Sequence, residues 1–209
     1  MVNASGDPEL FGQATGQNIY GGVPMRKITV RGMFLILGLG LLLTASSMAL
    51  AADLALTSVG QSPDAMMVMV VLKNLKVETD FDALMKPEAF SGYKVLVAVV
   101  GGSSKGLGAA GINQEQEKER AISLVQKARD EGARILVMHV GGAGRRGTLS
   151  DLFIEAVVPL ADRITVVKGG NHDGIFDRLK AEDTPITEVE TIRAVDEPLK
   201  KDLSDWGVL

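Results

Sequence analysis

Apolar runs alternate with charged, amphipathic stretches from residue 54 onward, and that alternation predicts strands and helices in turn. Residues 54–58 read as a short apolar strand running into Gly60-Gln61-Ser62-Pro63-Asp64. There Ser62 can cap a helix and Pro63 suits its first turn. Residues 65–72 are apolar on every side, which predicts a buried helix. Residues 78–81 are a candidate edge strand. Residues 93–100 are the clearest strand, because the unbroken run from Val95 to Val100 is the pattern of a strand covered on both faces. A glycine-rich segment, 101–111, follows and delays the next helix to about Asn113. That helix carries Ala121, Ile122, Leu124, Val125 and Ala128 on one face and stops at Gly132. Residues 135–140 are the next buried strand, followed by the loop 141–147.

Thr148 and Asp151 then stand at capping-box spacing ahead of a helix lined by Leu152, Phe153, Ala156 and Val157, with Pro159 shortening its end. Residues 164–167 are a fourth clear strand, 168–174 turn into a short helix, 187–189 form a last strand, and 196–206 a closing helix. Strands alternating with helices predict an α/β fold: a three-layer sandwich around a mostly parallel sheet of about five strands, flavodoxin-like or Rossmann-like. Ligands in such sheets sit outside the carboxyl ends of the strands, where strand order reverses. The polar, glycine-rich loops 60–64, 101–111, 141–147 and 169–174 would share that rim, whereas opposite loops such as Glu131-Gly132-Ala133 are plain.

The N-terminal quarter has a different pattern. Arg26, Lys27 and Arg31 precede an uncharged run, 32–52, that is greasiest at 33–43 and ends in Ala49-Leu50-Ala51. A basic start, an apolar core and an A-x-A exit are the features of a secretory signal, expected at 25–51. An uncleaved anchor is the alternative, since 21 residues at 1.5 Å rise can span about 30 Å. Residues 1–24 are polar and lie ahead of the basic start. They are expected to be an upstream misreading or a disordered extension, leaving 53–209 as a single exported domain. The expected location is therefore extracytoplasmic (periplasmic, secreted or cell-surface), with membrane contact only through the N-terminal segment if it stays uncleaved.

The chain has no cysteine, which excludes disulfides and a lipid-modified cysteine anchor. Setting aside Arg26, Lys27, Arg31, Asp7 and Glu9 from 22 basic and 26 acidic residues leaves 19 and 24, a net charge of −5. With aromatics at 4% and no basic stripe, neither a nucleic-acid nor a sugar-stacking surface is expected.

Three motifs come close to known chemistry. Gly102-x-x-x-Gly106-x-Gly108 resembles a dinucleotide fingerprint. However, strand 135–140 ends without an acid for a ribose, and the Tyr-x-x-x-Lys pair of short-chain dehydrogenases is missing. Gly170-Asn171-His172-Asp173 resembles a metallophosphoesterase signature, but His139 and His172 are the chain's two histidines and no Asp-x-His precedes them. No cofactor and no metal are expected. Gly102-Ser103-Ser104-Lys105-Gly106 satisfies G-x-S-x-G, the nucleophile elbow. This keeps a serine hydrolase as the alternative, with Ser104 attacking, His172 as base and Asp151 or Asp162 orienting it. The delayed helix speaks against that alternative.

What remains is a polar rim. Arg offers a planar fork to carboxylate or phosphate and Lys a compact charge, and a helix starting near Ser62 offers free amides. The expected site for a small anionic or carboxylate ligand comprises Gln61, Ser62, Gly102, Ser103, Ser104, Lys105, Arg145, Arg146, Asn171 and His172. Plainer roles stand beside it: Ser62 as a helix cap, Arg145-Arg146 as a solvated loop tip, His139 as a core residue, and Met66, Met67 and Met69 as core packing. The expected function is thus a non-catalytic exported ligand-binding domain. The alternatives are the hydrolase and a surface-interaction domain without a small ligand.

Gly60-Gln61-Ser62-Pro63-Asp64-Ala65, the segment 101–111, and 141–147 with Arg145 and Arg146 together resemble a family of exported bacterial α/β domains of unassigned function. The resemblance covers residues 54 to about 192. It implies a single exported α/β domain and no activity.

Overall fold

Each long apolar run becomes a central strand. In the computed structural model, which describes residues 52–209, β1 (Leu54–Val59) and β3 (Val95–Val100) are buried at every position. They are flanked by β2 (Thr79–Phe81), β4 (Arg134–His139), β5 (Arg163–Val167) and β6 (Ile186–Val189). All neighbours pair in parallel, in the order β2-β1-β3-β4-β5-β6. The sheet thus has six strands rather than about five. Its two edge strands, three and four residues long and partly exposed, carry little apolar pattern. The described residues belong to one compact unit, Ala49–Leu209. The expected signal and the stretch ahead of it lie outside the described residues.

Alternate side chains of each strand face opposite layers. Leu54, Leu56, Val95, Val97 and Val99 pack against α1 (Asp64–Asn74) and a closing helix, Asp196–Asp205. Ala55, Leu96, Ala98, Val100, Ile135 and Val137 pack on the other face. That face is covered by the helices Gln114–Asp130, Thr148–Val157 and Ile175–Leu179, and by Met85 and Phe90 from the β2–β3 connection. The result is the three-layer sandwich. In chain order after α1 the helices are α2 (Ser104–Ala110), α3 (Gln114–Asp130), α4 (Thr148–Val157), α5 (Ile175–Leu179) and α6 (Asp196–Asp205).

Helix α1 differs from expectation. Ala65, Val68 and Leu72 are buried, but Met66, Met67 and Val70 are exposed. An outer-layer helix has one side against the sheet, and a uniformly apolar sequence does not say which. Among the described residues no helix is long and apolar enough to cross a membrane.

The glycine-rich segment after β3 also departs from expectation, because it is itself a helix. Ser103 Oγ accepts the Gly106 N–H at 3.0 Å, which caps α2, and Gly111 ends it at φ 69°. A Cβ on Gly106 would lie 1.9 Å from the Gln61 carbonyl oxygen, so only glycine lets α2 lie against the loop after β1. Gly111 is followed by α3, whose Asn113 and Gln116 form a full capping box. From β1 the chain runs outward to β2, and from β3 it runs the other way to β4. Strand order therefore reverses between the ends of β1 and β3.

Candidate functional site

At that reversal the loops after β1 and β3 are zipped together. Ser62 N–H donates to the Gly101 carbonyl (3.2 Å), Ser103 N–H to Gly60 (2.8 Å) and Gly101 N–H to Val59 (2.8 Å). Gln61 and Gly102 form an isolated antiparallel bridge, with Gln61 held in the left-handed region at φ 59°. The Ser62, Gly101 and Ser103 amides are satisfied within the crossing, and those of Gly60 and Gly102 by the side chains of Glu117 and Ser150. Ser62 is buried and accepts the Asp64 N–H at 3.3 Å, a local turn at the start of α1.

Beneath the crossing lies a group missing from the sequence reading. Glu117 on α3 is fully buried and accepts from the Gly60 N–H (2.8 Å) and the Gln61 amide (3.0 Å). Arg120, one turn on, donates to both Glu117 oxygens at 2.8 Å, and to the carbonyls of Ser58 (2.6 Å) and Met85 (2.7 Å). This buried pair fixes where the β1 loop sits. A trace of it is present in the chain: Glu117 is in register with Ala121, Leu124 and Ala128 on the apolar face of α3.

The loop after β4 places its two arginines differently. Arg146 has a side chain only 5% exposed. Its Nε meets Asp151 at 2.8 Å, its terminal nitrogens meet Asp173 at 2.9 and 3.0 Å, and it also donates to the Gly170 carbonyl. Arg146 thus ties the β4 loop to α4 and to the loop after β5. The bond from Arg146, above all, holds the Asp173 carboxyl well below the usual carboxylate range. A depressed acid contributes stability above its unfolded value of about 3.9 and loses it as pH falls toward the folded value. Acid titration followed by circular dichroism is therefore expected to destabilise the wild type more than Asp173→Asn below about pH 4. Asp173 is 40% exposed, so the difference is modest and shrinks with salt.

Arg145, in contrast, is 37% exposed. Its Nε lies 3.3 Å from Asp64 Oδ2, and its terminal nitrogens have no hydrogen-bond partner among the described residues. Asp64 is buried, and this oxygen accepts no hydrogen bond, so the contact is a close ion pair set off the line of donation. Gly101 and Gly141 make room for it: a Cβ on Gly141 would fall 2.3 Å from Arg145 Cβ and 2.9 Å from Asp64 Oδ2.

Arg145 opens onto a cavity of about 290 Å³ between the β3 and β4 loops, lined also by Gly102, Ser104, Arg146, Thr148 and Leu149. Its back wall is the start of α4. The expected capping box is not formed there, because the helix already includes Thr148 and its N-cap is Gly147 at φ 138°, which has no side chain; Asp151 instead accepts from Arg146. The first amides of α4 thus stay without a capping acceptor. Ser150 Oγ locks the wall by accepting from the Gly102 N–H (2.8 Å) and donating to the Arg145 carbonyl (2.6 Å). A second cavity of about 550 Å³ continues past Ser104, Thr148 and Leu149 to Asp151 and Glu155.

The remaining expected residues lie apart from this cavity. Ser103 is spent as a cap, and Lys105 is exposed on α2. Asn171 caps α5 through the Phe176 N–H (3.0 Å) and holds Asp177 (2.6 Å). His172 is exposed, with Nδ1 2.9 Å from the Gly169 carbonyl. His139 is buried between the carbonyls of Val100 (3.0 Å) and Gly142 (3.1 Å). Neither histidine bonds Ser104. Although α2 does start at Ser104, contrary to expectation, Ser104 lacks the strained backbone of an elbow. Among the described non-glycine residues only Gln61 and Lys76 have positive φ. Asp162 accepts the Ile135 N–H at the opposite end of the sheet, and Asp151 serves Arg146. No three metal-ligating side chains converge among the described residues.

No curated protein and no solved structure matches the chain. A family model described as a domain of unknown function, DUF6305, matches residues 51–203, nearly the whole of the folded unit, and the chain therefore belongs to that family.

Proposed function

We propose that this domain is an exported, non-catalytic binding module for a small anionic ligand held in the cavity between the β3 and β4 loops. One observation carries the reading: the uncapped start of α4, Arg145 and Ser104 line the same small cavity, and the terminal nitrogens of Arg145 have no hydrogen-bond partner among the described residues. Helix amides and a guanidinium fork both favour an anion. The volume beside Arg145, about 290 Å³, is ample for a small anion at the helix start. The N-terminal signal pattern supports export.

Thermal unfolding of the chain from Asp53 onward, with small carboxylates and phosphates, tests the reading. A ligand at 100 times its Kd adds about 2.7 kcal/mol, a rise of at least about 5 °C for a domain of this size. Arg145→Ala is expected to abolish the rise. A rise that survives in Arg145→Ala, or none with any anion, contradicts the reading. Fluorophosphonate labelling of Ser104 is expected to fail; covalent labelling would favour the hydrolase alternative.

A further inference from the structure

The charges around the cavity narrow the class of anion it accepts. Arg145 lies 3.3 Å from Asp64, whose side chain is 2% exposed. Arg146 is shared between Asp151 and Asp173 at 2.8 and 2.9 Å. Two arginines thus face three carboxylates, and Glu155 lines the adjoining cavity. The one unpaired cation on the expected site, Lys105, does not line either cavity. Because Asp64 Oδ2 takes no hydrogen bond, it offsets the charge of Arg145 without occupying the terminal nitrogens. Donors are therefore plentiful here, while net positive charge is absent.

We infer that the cavity selects a monoanionic carboxylate over a dianionic phosphate, and that Asp64 sets this selection. The inference rests on the anion-binding reading above. A carboxylate matches the planar fork of Arg145 with two oxygens and one charge. Asp64 lines neither cavity but lies 3.3 Å behind the Arg145 Nε, so the second charge of a phosphate held by Arg145 would be repelled across the guanidinium by a buried carboxylate that water screens little.

The test is calorimetric titration with acetate and with methyl phosphate at pH 8, where a phosphate monoester, with a second pKa of about 6, is dianionic. The wild type is expected to bind acetate at least about tenfold more tightly, the scale of one offset charge at an intermediate dielectric. Asp64→Asn, which keeps the shape and removes the charge, is expected to tighten methyl phosphate by about tenfold more than acetate. Asp173→Asn, at an exposed position, should move the ratio the same way by less and covers the case that the Asp64 variant does not fold.

Methyl phosphate binding as tightly as acetate in the wild type, or a ratio unchanged in both variants, overturns the inference while leaving the anion reading intact. Binding of neither probe by any of the three proteins overturns both.

Discussion

Glu117→Ala is expected to cost the domain about 3–5 kcal/mol, the loss seen when one partner of a buried ion pair is removed. The substitution strands the Arg120 guanidinium, 11% exposed, leaves the Gly60 N–H without its acceptor, and leaves the Gln61 side-chain amide only the Ala83 carbonyl. Against a typical total of about 5–15 kcal/mol, this is enough to bring the domain close to unfolding. Urea denaturation should show a lower midpoint at unchanged slope. The double variant Glu117→Leu/Arg120→Met removes both charges together and should lose less than Glu117→Ala alone. A loss under about 1 kcal/mol for Glu117→Ala would place the pair with solvated surface bridges and undo the claim that it anchors the β1 loop.

Gly106→Ala and Gly108→Ala should shift stability in opposite directions, although both replace a glycine in α2. Alanine ordinarily stabilises a helix interior by roughly 0.5–1 kcal/mol over glycine. A Cβ on Gly108 meets nothing within 4 Å, so Gly108→Ala should show that gain. A Cβ on Gly106 would fall 1.9 Å from the Gln61 carbonyl oxygen and 3.0 Å from its carbon, both backbone atoms that cannot rotate away. Gly106→Ala should therefore destabilise by about 1–3 kcal/mol, the usual cost of overpacking. It should also weaken acetate binding by shifting Ser104 at the cavity mouth. Equal effects from the two variants would mean that α2 is not seated on the β1 loop as described.

These two cases mark where the sequence could be read and where it could not. The central strands and the polar rim were legible because a run such as Val95–Val100 has no other way to bury both faces. Helix α2 was not: its glycines depress helix propensity, and the helix is compensated by a contact with Gln61 some 45 residues earlier. Glu117 and Arg120 sit in the run Gln114–Arg120, whose composition reads as solvated, and their burial depends on backbone amides that the fold brings from β1. Arg145 and Arg146 are indistinguishable as neighbours in sequence. They separate because Asp151, Gly170 and Asp173 together take up the Arg146 guanidinium, whereas the terminal nitrogens of Arg145 have no such partner among the described residues. Likewise the Thr148–Asp151 spacing implied a cap, but the helix starts one residue earlier than that box requires, with Gly147 as its N-cap, and the α4 amides are left without a side-chain acceptor.

The most direct test of the cavity as a binding site is a backbone amide NMR titration with acetate. Saturable shifts are expected on Ser104, Thr148, Leu149 and Ser150, and none in Arg145→Ala. Saturable shifts elsewhere with these four amides unmoved, or no saturable shift at all, would contradict binding in the cavity.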